Sequence, residues 1–435
     1  MDRPGPAGYN AAMDQPPYRQ REIYLQGAGG RKPLVPLDFE AMERACQKRL
    51  SPEAFGYLAG GAGRESTMQV NRQAFERWCI LPTMLKDVSQ RDLSVELLGR
   101  KLPAPVLLCP VGALELAHPH ADAAVARAAR GLGLPMIFSN QASVPMEVCA
   151  AAMGDSPRWF QLYWSKSNEL VESLVRRAER CGCEAIVVSV DTPLLGWRTR
   201  DLENGYLPFL RGRGLSQYFT DPVFQRLLDE PGAGAPDPDS PRPKGLGVLE
   251  LLYQINRSYP GSFLQNLRTD RPLRAVRQFI RIYSRTTLTW KDLDFLRGIT
   301  RLPVLLKGIL TVEDARRALD QGLDGIIVSN HGGRQVDGSI TALDALDSIS
   351  QAVGDKLLLL FDSGIRHGAD VFKALCLGAR AVCLGRPFVY GLALAGEEGV
   401  REVLANLLAD FELTMALSGC CSPAELGRQH LVAAP

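Results

Sequence analysis

The chain has 435 residues, of which 46% are hydrophobic and 23% charged, a composition typical of a globular protein with one large domain or two ordinary ones. Fifty basic and 48 acidic side chains give a formal net charge of +2, so charge alone argues against a nucleic acid partner. The N-terminus lacks an apolar signal core, and no apolar stretch reaches the length of a membrane span. We therefore expect a cytoplasmic protein with no membrane partner.

The cysteine and histidine content argues against a metal centre. The chain contains ten Cys and five His, and no pair of C-x-x-C units occurs. Most of the cysteines lie in apolar segments, where a thiol behaves as a small hydrophobic side chain. We expect no bound metal, and reduced thiols in a reducing compartment.

The pattern of short apolar runs predicts the fold. Residues 1–37, rich in Pro and Gly, predict a flexible N-terminal arm, and residues 38–60 predict helices. Apolar runs then alternate with amphipathic helical segments, and they predict eight strands, at 105–112, 135–140, 158–164, 185–191, 304–308, 325–331, 357–364 and 381–385.

Eight strand and helix pairs in sequence predict an α/β fold, a (β/α)₈ TIM barrel within a domain spanning 38–435. A doubly wound open sheet would share the alternation, but the count of eight and the distribution of polar strand ends favour closure. The active site of such a barrel lies at the C-terminal ends of its strands.

A long insertion, about 211–286, interrupts the alternation of strands and helices after the fourth strand. Its segment 231–243 is dense in Pro, Gly, Asp and Ser and is expected to be mobile, whereas 246–284 is basic and aromatic. We interpret the insertion either as a lid over the strand ends or as an oligomer contact or disordered excursion.

The sixth predicted strand ends at His331, and Arg334 follows on a glycine-rich turn. A neutral imidazole can accept a proton near neutral pH, and a guanidinium grips a carboxylate through two hydrogen bonds. A single His at a strand end is more often a packing residue, but other strand ends carry polar or charged side chains that suit the same chemistry. The combination suits a 2-hydroxy acid. These strand-end residues are Asn140, Gln161, Tyr163, Ser189, Asp191, Lys307, Ser329, Asp362, Arg366 and Arg386.

The last two strands predict a phosphate site. Gly364 and Arg366 follow the seventh strand, and Gly385 and Arg386 follow the eighth. Barrels commonly hold phosphate in these two loops, where glycine lets backbone amides approach. A phosphorylated cofactor therefore fits, whereas no strand is followed by the G-x-G-x-x-G pattern of a nicotinamide dinucleotide site.

Several segments together resemble the FMN-dependent 2-hydroxy acid oxidase and dehydrogenase family. The resemblance extends over about 38–430 and fails mainly between about 211 and 286. It implies an FMN-binding (β/α)₈ barrel and a homo-oligomer, a tetramer or larger. The segments are 160–163 (FQLY), 190–193 (VDTP), 306–308 (LKG), 329–335 (SNHGGRQ), 361–364 (FDSG), 384–387 (LGRP) and 411–419 (FELTMALSG).

Within the family, segments 57–61, 195–198, 208–212 and 220–225 resemble lactate 2-monooxygenase. That subgroup tends to carry Gly rather than Ala at the position of Gly112. The resemblance implies oxidation of an L-2-hydroxy acid with O2 as acceptor, together with oxidative decarboxylation. The alternative is a simple oxidase or dehydrogenase that releases the 2-keto acid of a larger substrate.

Two other classes are disfavoured by the same residues. An FMN-binding isomerase acting on isopentenyl diphosphate needs no His331 and Arg334 pair for a carboxylate. A catalytically silent barrel scaffold would not require His331, Asp191, Lys307 and Arg334 to be intact.

The resemblance also implies roles for single residues. His331 is the base and Asp191 orients it, while Lys307 lies at the pyrimidine end of the flavin. Substrate is held by Tyr57, Tyr163, Arg198 and Arg334. The implied FMN-binding set is Pro110, Val111, Gly112, Asn140, Gln161, Ser189, Lys307, Ser329, Asp362, Gly364, Arg366, Gly385 and Arg386, with Asp362 on the ribityl hydroxyls.

Three residues depart from the family pattern. Ser189 stands where Thr is common, and Asn140 stands where Ser is common, but both keep hydrogen-bonding groups. Gln141 occupies a position where oxidases often carry an aromatic or apolar residue. Together with the insertion, Gln141 indicates a 2-hydroxy acid that is larger or more polar than lactate.

Overall fold

The computed structural model describes residues 18–236 and 244–435. Eight parallel strands in it form one closed barrel, so the predicted TIM barrel is confirmed, and each strand overlaps its predicted segment. The barrel strands, numbered here in chain order, are β1 Val106–Leu108, β2 Met136–Phe138, β3 Arg158–Leu162, β4 Ile186–Ser189, β5 Val304–Ile309, β6 Gly325–Val328, β7 Leu358–Phe361 and β8 Ala381–Leu384.

The barrel strands are apolar on both faces because both faces are buried. Alternate residues such as Leu107, Val187 and Leu305 fill the interior with no exposed surface, whereas Val106 and Val188 pack outward against the helices. The barrel closes where β8 pairs with β1, and Val382 there faces Val106 in register.

Each barrel strand is joined to the next through a helix that packs on the outside of the barrel. Several of these helices begin at a side chain that accepts a backbone hydrogen bond, such as Ser167 from Leu170 N and Thr341 from Asp344 N. The helices are Ala121–Leu132, Met146–Met153, Asn168–Arg180, Leu293–Ile299, Val312–Asp320, Ala342–Val353, Gly368–Cys376 and Arg386–Leu417.

The segments before β1 close the N-terminal end of the barrel and cover its side. A hairpin of Val95–Leu97 and Arg100–Leu102 places Val95, Leu97 and Leu102 in the same buried cluster as the barrel interior. A second two-stranded sheet pairs Trp78–Ile80 with Leu431–Ala433 near the C-terminus. The helices of this region are Tyr18–Ala28, Phe39–Arg49, Pro52–Ala59 and Ser66–Glu76.

Part of the segment predicted to be a flexible arm is helical instead. In the helix Tyr18–Ala28, Arg19 Nε donates to Asn406 Oδ1 at 2.8 Å, and Leu34 N donates to Glu402 Oε1 at 3.0 Å. These contacts with the last long helix hold the segment against the domain. Residues 1–17 lie outside the described residues.

The insertion after β4 is largely helical. The helix Thr199–Glu203 precedes it, and its own helices are Ser216–Phe219, Pro222–Asp229, Gly247–Ser258, Phe263–Asn266 and Arg271–Ile282. Of the predicted mobile segment, residues 237–243 lie outside the described residues. Across the described ranges, no helix is long and apolar enough to cross a membrane.

One buried arginine ties the start of the insertion to the barrel. Arg177, on the helix after β3, donates from Nη1 to Gln217 O at 2.6 Å and to Asp221 Oδ2 at 3.1 Å. Asp221 Oδ1 in turn accepts from Val223 N and Phe224 N, which starts the helix Pro222–Asp229. The insertion is thus an integral layer above the strand ends.

Candidate active site

One pocket opens at the C-terminal ends of the barrel strands, where the fold leads us to expect the active site. It brings together most of the residues singled out from the sequence. Those that line it are Tyr57, Pro110, Val111, Gly112, Tyr163, Ser189, Arg198, Lys307, His331, Arg334, Asp362, Gly364, Arg366, Gly385 and Arg386.

Four predicted residues lie behind this lining and contact it. Asp191 bonds to His331, and Ser329 accepts hydrogen bonds from Lys307 Nζ at 2.7 Å and from His331 N at 3.0 Å. The other two, Asn140 and Gln161, are buried beside Tyr163, as described below.

His331 and Asp191 form a hydrogen-bonded pair, with 2.9 Å between Nδ1 and Oδ2. Burial lowers the pKa of His331 below its usual 6.5, against the opposing pull of the carboxylate. Burial would raise the pKa of Asp191, but His331 and Lys307 outweigh it and lower that pKa to about 2. The imidazole is therefore neutral near pH 7 while the carboxylate is ionised, and with Nδ1–H donated to Asp191, Nε2 is free to accept a proton.

The backbone next to this pair has positive φ angles at His331 and Gly308. His331 itself has a φ of +56°, a left-handed conformation uncommon for a side-chain-bearing residue. Gly308 has a φ of +108°, and a Cβ atom there would lie 2.5 Å from Asp191 Cβ. A side chain at Gly308 would therefore displace the carboxylate that holds His331.

Arg198 and Arg334 both contact the Tyr57 ring, with their Cζ atoms 6.0 Å and 5.2 Å from its centroid. Burial, together with the charges of Arg198 and Arg386, lowers the pKa of Arg334 to about 9. Within the described part of the chain, neither Arg198 nor Arg334 has a carboxylate oxygen within 4.0 Å. Both guanidiniums hydrogen-bond neutral oxygens instead, as Arg334 Nη1 does to Gly60 O at 2.5 Å. Two guanidiniums at a pocket wall without an ion-pair partner among the described residues suit an anion such as a carboxylate.

Lys307 is buried at the floor of the pocket. Its Nζ lies 2.8 Å from Asp362 Oδ2, so the anion expected opposite this lysine includes a carboxylate of the protein itself. Burial lowers the pKa of Lys307, but Asp362 and Asp191 outweigh it and raise the pKa above its usual 10.5. The ammonium is therefore a fixed positive charge at neutral pH.

A second cationic region lies at the end of the pocket formed by the loops after β7 and β8. Arg386 donates to Gly332 O at 3.0 Å, and the buried Nε of Arg366 has no partner among the described residues. Burial and the charge of Arg386 lower the pKa of Arg366 to about 9. Gly364 has a φ of +106°, a conformation that favours glycine, so no side chain projects from this position of the loop. The arrangement suits a phosphate group.

Two buried amide groups carry donors without an acceptor. Asn140 Oδ1 accepts from Tyr163 N at 2.9 Å and Gln161 Oε1 accepts from Asn140 N at 3.1 Å, which orients both side chains. Asn140 Nδ2 and Gln161 Nε2 then have no partner in the described structure. Because buried donors are rarely left unpaired, these two indicate a ligand with acceptor atoms beside β2 and β3.

The pocket also contains residues that the sequence reasoning missed as site residues. They include Ser139, Thr192, Ser363 and the thiols of Cys109 and Cys383. A further group comes from the long connection between β4 and β5. The aromatic character of 246–284 and the resemblance of segments 195–198 and 208–212 pointed toward parts of it, but not to single residues. This group consists of Leu195, Leu207, Phe209, Phe279, Ile280 and Tyr283.

Known proteins are similar to this chain over most of its length. A family model described as FMN-dependent dehydrogenase matches residues 46–433. The FMN-dependent alpha-hydroxy acid dehydrogenase qulF of Penicillium citrinum is 41% identical over 410 residues, covering 94% of each chain. An L-lactate oxidase of Lysinibacillus sphaericus is 40% identical, covering 92% of this chain and 94% of that protein.

A crystal structure of mandelate oxidase superposes with a TM-score of 0.72 at 36% identity, covering 92% of this chain and 99% of that one. These matches extend over nearly the whole chain and include both barrel and pocket. The family predicted from the sequence is therefore confirmed, and so is its cofactor, FMN. This chain belongs to the FMN-dependent dehydrogenase family and is an FMN-dependent 2-hydroxy acid oxidoreductase.

Proposed function

We propose that this protein oxidises an L-2-hydroxy acid with O2 as the final electron acceptor, and that the product is decarboxylated before release, as the likeness to lactate 2-monooxygenase implies. The observation that carries the proposal is the neutral His331, held by Asp191, in one pocket with the guanidiniums of Arg198 and Arg334, which have no carboxylate partner among the described residues. A base next to an anion site is what removal of the substrate's hydroxyl proton requires.

The residues of the pocket fit FMN. The unpaired donors Asn140 Nδ2 and Gln161 Nε2 would bond acceptor atoms of the ring, and Lys307 would supply positive charge beside it. FMN, when bound, supplies the acceptor for two electrons. Ser189 and Ser329 would also hydrogen-bond the ring, and Asp362 would bond the ribityl hydroxyls. The rest of the FMN-binding set would be Gly364, Arg366, Gly385 and Arg386 at the phosphate, together with Pro110, Val111 and Gly112.

His331 would take the hydroxyl proton of the substrate at Nε2, because Nδ1 is committed to Asp191. The Asp191 carboxylate would then stabilise the imidazolium that forms. General base catalysis of this kind contributes roughly 10² to 10⁴ in rate. Arg334 and Tyr57 would hold the substrate carboxylate, and Tyr163 would lie near the reacting hydroxyl.

A simple oxidase that releases the 2-keto acid is the second candidate, favoured by the similarity to an L-lactate oxidase and to mandelate oxidase. Product analysis separates the two. A 2-keto acid with stoichiometric H2O2 identifies an oxidase, whereas a carboxylic acid one carbon shorter with CO2 identifies a monooxygenase. Gel filtration with light scattering tests the further proposal of a tetramer or larger homo-oligomer.

The proposal as a whole is tested by anaerobic titration. We expect the purified protein to be yellow and to be bleached by at least one L-2-hydroxy acid. His331→Ala should keep the yellow colour and lose most of the rate of bleaching. A flavin that stays oxidised with a broad acid panel, or a variant that is reduced at the wild-type rate, would contradict the mechanism.

A further inference from the structure

The long connection between β4 and β5, which includes the insertion, gives the pocket an apolar side. Between residues 199 and 286 of this connection, the described residues that line the pocket are all apolar or aromatic: Leu207, Phe209, Phe279, Ile280 and Tyr283. Leu195, just before this segment, extends the same surface, and Leu195 and Ile280 remain 40% and 37% exposed. Apolar surface that the protein itself leaves uncovered therefore borders the cavity.

A row of aromatic rings connects this apolar side to the carboxylate site. Tyr57 contacts Phe209 edge-on with 6.1 Å between ring centroids, and Phe209 lies 5.8 Å from Phe279. Phe279 stacks on Tyr283 at 5.0 Å. Since the Tyr57 ring also contacts both Arg198 and Arg334, the row begins where the substrate carboxylate would bind and leads away from it.

The apolar wall is a fixed part of the fold. Phe279 is fully buried and its ring lies 4.8 Å from that of Tyr218. At the end of the helix Arg271–Ile282, the carbonyl of Ile282 accepts from Lys166 N at 2.9 Å and from Ser165 Oγ at 2.8 Å, which ties the helix to the loop after β3. The wall is thus ready to receive an apolar group without first being ordered.

We infer that the substrate is an L-2-hydroxy acid with a bulky apolar side chain, of butyl size or larger or aromatic, rather than glycolate or lactate. The inference rests on the proposed function. With the carboxylate at Arg334 and the hydroxyl at His331, the side chain has the apolar wall of Leu207, Ile280 and Tyr283 available for burial. Each methylene buried there should raise the specificity for the substrate about fourfold.

The test is the second-order rate constant of anaerobic FMN reduction for a series of L-2-hydroxy acids, from lactate through 2-hydroxybutyrate and 2-hydroxyhexanoate to 3-phenyllactate. We expect a rise of about fourfold per added methylene. Ile280→Ser should reduce this dependence on chain length. The matched control is Leu249→Ser, on the same insertion but 66% exposed and away from the pocket, which should keep the wild-type dependence.

The outcomes are distinct. Fastest reduction by lactate, or faster reduction by L-malate than by 2-hydroxyhexanoate, would overturn the apolar substrate while leaving the proposed function intact. A length dependence that survives both Ile280→Ser and Tyr283→Ala would also overturn it, because the apolar wall would then not be its source. If no acid in the series reduces the flavin, the proposed function itself fails.

Discussion

The buried pair of Lys307 and Asp362 gives the most quantitative prediction. Its charged atoms are 2.8 Å apart and both side chains are nearly inaccessible to water. At an effective dielectric constant of about 20 the attraction is roughly 6 kcal/mol, most of which offsets the loss of hydration. Lys307→Met leaves the carboxylate buried without its partner, so the free energy of unfolding should fall by about 3 to 5 kcal/mol.

The double variant Lys307→Met/Asp362→Asn removes both charges and should regain most of that stability, although flavin reduction should stay slow because the cation beside the ring is absent. The assay is urea unfolding of the FMN-loaded protein at pH 7, followed by circular dichroism. Arg77→Met, which breaks a half-exposed ion pair with Asp344, is the control and should cost under about 1 kcal/mol. Purely additive losses in the double variant, or an unchanged midpoint for Lys307→Met, would refute the reasoning.

Three further predictions concern the base, the binding of the substrate carboxylate and the insertion. Asp191→Asn should keep FMN but slow anaerobic reduction about 10- to 100-fold, since the His331 imidazolium loses a charge-assisted bond. The pKa of Asp191 is about 2, below its usual 3.8, so the ionised carboxylate stabilises the folded state above pH 3.8 and this contribution is lost toward pH 2. Between pH 5 and pH 2 the free energy of unfolding of the wild type should therefore fall by about 2 kcal/mol more than that of this variant. Arg334→Met should lower kcat/KM for any 2-hydroxy acid about 10- to 150-fold, as measured by steady-state oxygen uptake. A loss below threefold would show that Arg334 does not bind the substrate carboxylate. Gly214→Ala brings a methyl group within 2.9 Å of a backbone oxygen. The control is Gly205→Ala, because Gly205 has a similar positive φ but a Cβ there meets nothing within 4 Å. By thermal unfolding, Gly214→Ala should lower the free energy of unfolding by about 1 to 3 kcal/mol more than the control.

The barrel could be predicted from the sequence because its signal is local. Each strand is apolar throughout since one face packs in the interior and the other under the helices, as Leu107 and Val106 illustrate. Polar residues then mark where each strand ends. Because the C-terminal ends of all eight strands surround one end of a closed barrel, His331, Asp191 and Lys307 could be expected to lie close together although they are far apart in the chain.

The rest depended on tertiary contacts that leave no periodic signal. Nothing local shows that Phe279 and Tyr283 reach the pocket, because their position depends on the bonds that join Ile282 O to the loop after β3. Asp362 was expected only on ribityl hydroxyls, and its ion pair with Lys307 depends on side-chain geometry across the barrel. The helix Tyr18–Ala28 was missed because bonds such as Arg19 to Asn406 join distant parts of the chain.

The seam between β8 and β1 sets an order of events during synthesis. Val106 finds its neighbour only when Val382 has left the ribosome, and Trp78 must wait still longer for Ala433. Until then β1 is an open apolar edge, able to pair with other chains. The barrel therefore closes last at this seam, and we expect a nascent chain that stalls before the final strand to be prone to aggregation.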